Sequence, residues 1–117
     1  MRRLRMSNIK VMHLDDAQIY EDSSVISRRL VRREHGSENM SFNISTLQEG
    51  YNDQNCVYPD HDEIVYILSG KAELTIDGET QVISKGSAFY IPRKNSYGYK
   101  VIEGPNDMVV VFTPAKV

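Results

Sequence analysis

From Glu63 to Glu79 the chain reads EIVYILSGKAELTIDGE, with an apolar side chain at nearly every second position on both sides of Ser69-Gly70 and a stop at Asp77-Gly78. A period of two is the period of a β-strand, whose successive side chains point to opposite faces. A helix would spread the same residues around its whole circumference. Ser-Gly and Asp-Gly are turn pairs, so the stretch predicts a hairpin joined at Ser69-Gly70 and a second reversal at Asp77-Gly78. The alternation also puts Glu63 on the face of Val65 and Ile67, opposite Ile64, Tyr66 and Leu68. A carboxylate therefore shares the apolar face, and burying it without a cation, a metal or hydrogen-bond donors costs several kcal/mol or raises its pKa.

The rest of the chain reads the same way. SSVISRRLVRRE alternates loosely, and MSFNISTLQ alternates well through Phe42, Ile44 and Thr46; both are rich in β-branched residues and end at the turn-forming stretches HGSEN and EGYNDQN. TQVIS, a Lys85-Gly86 turn and SAFYIP follow, and Pro92 closes that strand because it has no N–H to donate. SYGYKVI and DMVVVFTP are separated by EGPN, with Pro114 limiting the last strand. Only HLDDAQIYED departs, offering one short helical turn through Leu14, Ala17 and Ile19. Short strands with turns every eight to twelve residues or so imply an antiparallel sandwich or barrel, and the fold class is all-β.

A chain of 117 residues, 40% apolar, is expected to form one domain, here residues 9–117, after a disordered or extended basic tail at residues 1–8. A formal charge of −2 gives no positive field for nucleic acid or anionic lipid. One cysteine, Cys56, cannot form an internal disulfide and fits a reducing cytoplasm. No apolar run approaches the roughly 20 residues of a membrane span or a signal-peptide core. The expectation is a soluble cytoplasmic protein that partners neither nucleic acid nor membrane.

From Gly50 the spacing becomes specific. Gly50 is followed at set intervals by Cys56, Tyr58, Glu63 and Gly70, and further on Gly86, Pro92 and Tyr97 hold a second set. These intervals resemble the two cupin motifs, in which a His-x-His pair and a later His occupy the places of Cys56, Tyr58 and Tyr97. Lys94 replaces a glycine usual in the second motif. The resemblance covers about residues 42–113 and implies a small single-domain cupin: an RmlC-like jelly roll, or antiparallel double-stranded β-helix, that often forms a homodimer. DEIVYILSG with FYIPRKNS is similar to the cupins of ethanolamine-utilisation operons, which also lack the histidines.

In an ordinary cupin a divalent transition metal would be held by three imidazoles and the glutamate. Here the matching set is Cys56, Tyr58, Glu63 and Tyr97, and neutral phenols bind divalent ions poorly because tyrosine titrates near 10. No cofactor is therefore expected; a metal, were one held, would take Glu63, His61 and Cys56. His61 lies two residues before Glu63 and would share its face if the strand began early, whereas PDHD otherwise reads as the turn into that strand.

Without metal, Glu63 and Tyr97 form the catalytic pair, and Cys56, Tyr58, His61, Phe89 and Tyr99 the ligand-binding set, with Phe42 or Tyr90 as apolar wall. Cys56 has no base or cation nearby in sequence and reads as packing rather than as a nucleophile. Arg28 and Arg29 fall on opposite faces, as do Arg32 and Arg33, and one inward arginine would bind a substrate carboxylate or pair with Glu63. The reading is a protein that binds a small polar metabolite in its barrel and acts as a metal-independent isomerase or lyase. Two alternatives stand beside it: a non-enzymatic ligand-sensing or assembly module of a metabolic complex, and a dioxygenase-like metalloenzyme with unusual ligands.

Overall fold

The computed structural model describes residues 11–117, so the expected tail at residues 1–8 lies outside the described residues. The order of elements follows the β-branched runs. A short 3₁₀ turn at Leu14–Asp16 leads into β1 (Gln18–Glu21) and β2 (Val25–Val31); a second turn at Arg33–His35 precedes β3 (Ser41–Leu47). Then come β4 (Asn52–Cys56), β5 (Asp62–Ile76), β6 (Glu79–Ser84), β7 (Ala88–Ile91) and β8 (Tyr97–Thr113). All pairings are antiparallel. The strands run in the order β1-β2-β3-β8-β5-β6, with β4 added to β8 and β7 to β5. This is the expected all-β double-stranded β-helix. Pro92 and Pro114 stand just past β7 and β8, as their missing N–H groups require.

Two strands are far longer than expected, and the reason is long-range pairing. Ser69-Gly70 is not a hairpin turn: β5 runs through it, shifting register between Ile67 and Ala72, with β8 as its neighbour on both sides. The first half of β5 pairs with β7 and the end of β8, and the second half with β6 and the start of β8. Gly70 makes this bend possible with a φ of +81°, and a Cβ there would lie 2.7 Å from the carbonyl oxygens of Glu103 and Pro105. EGPN likewise does not end a strand but forms the matching bend of β8. The true hairpin is at Asp77-Gly78, where φ values of +51° and +80° match the mirror-image turn that suits right-twisted strands.

The polar EGYNDQN stretch, read as a turn, contributes most of β4, which pairs with β8 at Asn52↔Lys100 and Cys56↔Tyr97. Its backbone supplies the ladder while its side chains stay largely at the surface. The alternation of β5 holds: Glu63, Val65 and Ile67 are buried, while Ile64, Tyr66 and Leu68 are exposed. With Leu74, Val101, Met108, Val110 and Phe112 the inward apolar residues form the core. No helix among the described residues is long and apolar enough to cross a membrane.

Candidate functional site

Glu63 sits near the start of β5 beside Phe112 of β8 and Ile91 of β7. It is only 4% exposed and borders a cavity of about 220 Å³, room for several waters. Tyr97, at the start of β8, donates its hydroxyl to Glu63 Oε1 at 2.8 Å. Burial pushes the Glu63 carboxyl up to about 7, against the smaller opposing effects of the Tyr97 hydrogen bond and the Lys116 charge. A carboxyl half ionised at neutral pH inside a cavity has the property a general acid or base requires.

The neighbouring residues complete the lining. Tyr58 packs edge-on against Phe112 with ring centroids 4.8 Å apart, and burial followed by the Glu63 charge raises its pKa. Phe89 lies 6.0 Å from Tyr97 and 6.2 Å from Tyr99, centroid to centroid. Tyr99 is buried and donates to Asn106 Oδ1 at 2.6 Å, and Asn106 in turn donates to the Ser69 carbonyl at 2.7 Å. Tyr99 thus lines the cavity while tying it to the bend of β5. Cys56 lies across from Tyr97. Burial first and Asp53 second push its thiol up to about 12, so it is protonated at neutral pH and lacks thiolate reactivity.

The structure brings Cys56, Tyr58, Glu63, Phe89, Tyr97 and Tyr99 to one cavity and leaves His61 out of its lining. The His61 Nδ1 is 2.9 Å from the Pro114 carbonyl, because β5 begins only at Asp62 and the preceding turn carries the imidazole away. Phe42 and Tyr90 do not form its wall either. Tyr90 is 56% exposed on the outer face, and on β3 the inward set is Asn43, Ser45 and Leu47, the phase opposite to Phe42 and Ile44.

Arg29, Asn43 and Lys116 join the cavity from β2, β3 and the C-terminal segment. Arg29 is one of the four arginines that the sequence leaves open as the inward one; Asn43 and Lys116 carry no local signal there. Lys116 is placed by two contacts: its backbone N–H donates to Ser41 Oγ at 3.1 Å, and the preceding Ala115 N–H donates to the Glu38 carbonyl. Neither Arg29 nor Lys116 forms an ion pair with Glu63 among the described residues.

A double-stranded β-helix around a cavity with a buried, titratable carboxyl defines the class of protein. A family model described as a cupin domain matches residues 44–114, and the chain belongs to the cupin family. An uncharacterised protein of Streptomyces coelicolor is 30% identical over 76 residues, covering 65% of this chain and 71% of that protein. The crystal structure of ectoine synthase from P. lautus superposes with a TM-score of 0.79 at 25% identity, covering 91% of this chain and 78% of the other. A Salmonella typhimurium protein assigned to ethanolamine utilisation superposes at 0.69 with 20% identity, covering 93% and 89%. At that identity the ethanolamine-utilisation likeness is one of fold.

Cupins can bind metals, and the donor chemistry here tests whether this cavity suits one. The positions matching the usual ligands present a thiol and two phenols, Tyr58 and Tyr97, whose pKa values burial raises, so three of four donors are neutral at pH 7. Among the described residues no three His, Cys, Asp or Glu side chains cluster as a ligand set. The residues do not fit a divalent transition metal.

Proposed function

We propose that the barrel binds a small polar metabolite and moves a proton on it, acting as a metal-independent isomerase or lyase. Glu63 is the acid–base group. In its ionised form it takes a proton from a carbon next to a carbonyl, the C–H electron pair moves toward the carbonyl oxygen, and the Tyr58 hydroxyl donates a hydrogen bond to that oxygen. Returning the proton to a different atom completes an isomerisation; delivering it instead to a hydroxyl on the adjacent carbon lets that hydroxyl leave as water while the electron pair forms the C=C bond, which completes an elimination. Tyr97 orients the carboxyl through its hydrogen bond.

The observation that carries this reading is the Glu63–Tyr97 pair, buried in a cavity with the carboxyl poised near neutral pH. The likeness to ectoine synthase supports the enzymatic sense of it. The test is proton exchange into pooled small carbonyl and hydroxy compounds in D₂O, followed by NMR. Wild-type protein is expected to introduce deuterium into at least one compound, and Glu63→Gln to slow that exchange by about 10²-fold or more while melting cooperatively and still binding. Equal exchange by the Gln variant removes the role assigned to Glu63.

A further inference from the structure

The opposite wall of the cavity carries groups that the proton-transfer reading does not use. Arg29 on β2 and Asn43 on β3 are direct cross-strand partners, and both line the cavity. Arg29 Nε and Asn43 Oδ1 are buried and have no hydrogen-bond partner among the described residues, not even each other. The third atom in that state, Arg32 Nε, belongs to a guanidinium already paired with Glu34. Leaving a buried polar group unmet is costly, and each such group in a native fold calls for an explanation.

Two cations stand nearby. The Arg29 guanidinium lies 5.3 Å from the Tyr20 ring centroid, which steadies it without neutralising it. Lys116 holds its ammonium 5.6 Å from the ring centroids of both Tyr58 and Phe112. Desolvation and then the nearby Arg29 charge lower its pKa. Two cations thus border the cavity, Lys116 lying within reach of both the Arg29 and the Glu63 charges, and no salt bridge joins a carboxylate to either among the described residues. Glu63 belongs to β5, three strand spacings from β2 in the sheet order, or about 14 Å along the curved sheet at roughly 4.8 Å per strand.

We propose that Arg29, Asn43 and Lys116 form a carboxylate cradle that holds the anionic end of a small hydroxy acid and leaves its reacting end to Glu63 and Tyr97. The Arg29 guanidinium donates to the carboxylate oxygens, the Lys116 ammonium adds the second charge, and the Asn43 side chain meets a neighbouring hydroxyl of the ligand once the ligand draws both side chains toward it. A planar, permanently charged donor suits a carboxylate better than a neutral amide. This deepens the proposed function and rests on the reading that the cavity takes a small metabolite.

The test is an NMR titration of ¹⁵N-labelled protein with lactate, lactamide and glycerol at constant ionic strength, following the Arg29 Nε–H and the cavity residues. Arg29→Gln identifies the Nε–H resonance by its loss. Lactate is expected to move that resonance saturably, and its neutral isostere lactamide to leave it in place. Arg29→Gln is expected to weaken lactate binding tenfold or more, and Arg29→Lys to retain part of it. Arg29→Lys, which also lacks the Nε–H, identifies the same resonance if the Gln variant does not fold, so the wild-type titration still decides the matter. Equal movement with lactamide overturns the cradle, as does lactate binding that is unchanged in a folded Gln variant. Glycerol or lactamide moving other cavity resonances while lactate leaves Arg29 still overturns the cradle and keeps the metabolite pocket. Silence of every cavity resonance toward all three probes overturns both.

Discussion

The β5–β8 wall and the β2–β3 wall line one cavity and are built on opposite plans. On β5 and β8 the residues lining the cavity are apolar apart from Glu63 and two tyrosines, and each of those polar groups has a partner: Tyr97 on Glu63, Asn106 on Tyr99. On β2 and β3 the inward residues are Ser27, Arg29, Asn43 and Ser45 between Val25 and Leu47, and two of their polar atoms have no partner among the described residues. The first wall is a core that contains one tuned acid. The second gives up packing for polar groups, two of which stay unpaired among the described residues, and it is the wall to which the proposed cradle belongs.

The largest expected effect breaks the first wall at its bend. Gly70→Ala would bring a Cβ against two backbone carbonyls at a positive φ, and a loss of about 3 kcal/mol or more is expected, measured by denaturant unfolding. A loss below about 1 kcal/mol would show that β5 and β8 relax at Gly70 and that the bend is not fixed there.

A pH series then probes Glu63. Its folded pKa of about 7 lies above its ordinary 4.5, so between these values the folded state binds more protons than the unfolded one. Its contribution is fully present below pH 4.5 and is lost as the pH rises to 7, about 3 kcal/mol in all. Wild-type stability is expected to fall across that window, and Glu63→Gln to lack this fall. Parallel pH curves for the two proteins would mean that the carboxyl is not desolvated as the structure has it.

Tyr97→Phe removes the hydrogen bond donated to Glu63. The carboxyl pKa should move further up, because that bond favours the ionised form. Stability at pH 8 should drop by about 1–2 kcal/mol, and by less at pH 5, where the acid is neutral. Carboxyl ¹³C titration checks the shift, and a downward movement would contradict the geometry.

The smallest effect has the opposite sign and sharpens the contrast between the walls. Arg29→Leu removes an unmet buried donor and one of two neighbouring cations, so ligand-free protein is expected to gain about 1 kcal/mol. A functional group commonly costs its scaffold stability in this way. Thermal unfolding without added anions would show it; a clear loss would assign Arg29 a structural partner instead.

The first wall was legible because its signals are local. Period-two alternation alone turned Glu63 inward with Val65 and Ile67, and motif spacing grouped Cys56, Tyr58, Glu63 and Tyr97. The second wall was not legible. On β3 the apolar set Phe42 and Ile44 marks the outer face, so the usual rule that the apolar face points to the core chooses the wrong side. β4 was missed for a related reason, since NDQNC has turn composition and becomes a strand through its pairing with β8.

By itself, the sequence determined an all-β chain of the cupin family and the inward placement of one carboxylate among apolar residues, because strand periodicity and turn chemistry act over a few residues. Only the tertiary structure decided that Ser69-Gly70 and EGPN are bends within long strands, since continuity there depends on hydrogen bonds between β5 and β8. It also decided that His61 turns away to the Pro114 carbonyl and that Lys116 reaches the cavity beside Arg29. Those placements depend on contacts between residues distant in the chain, which no local pattern encodes.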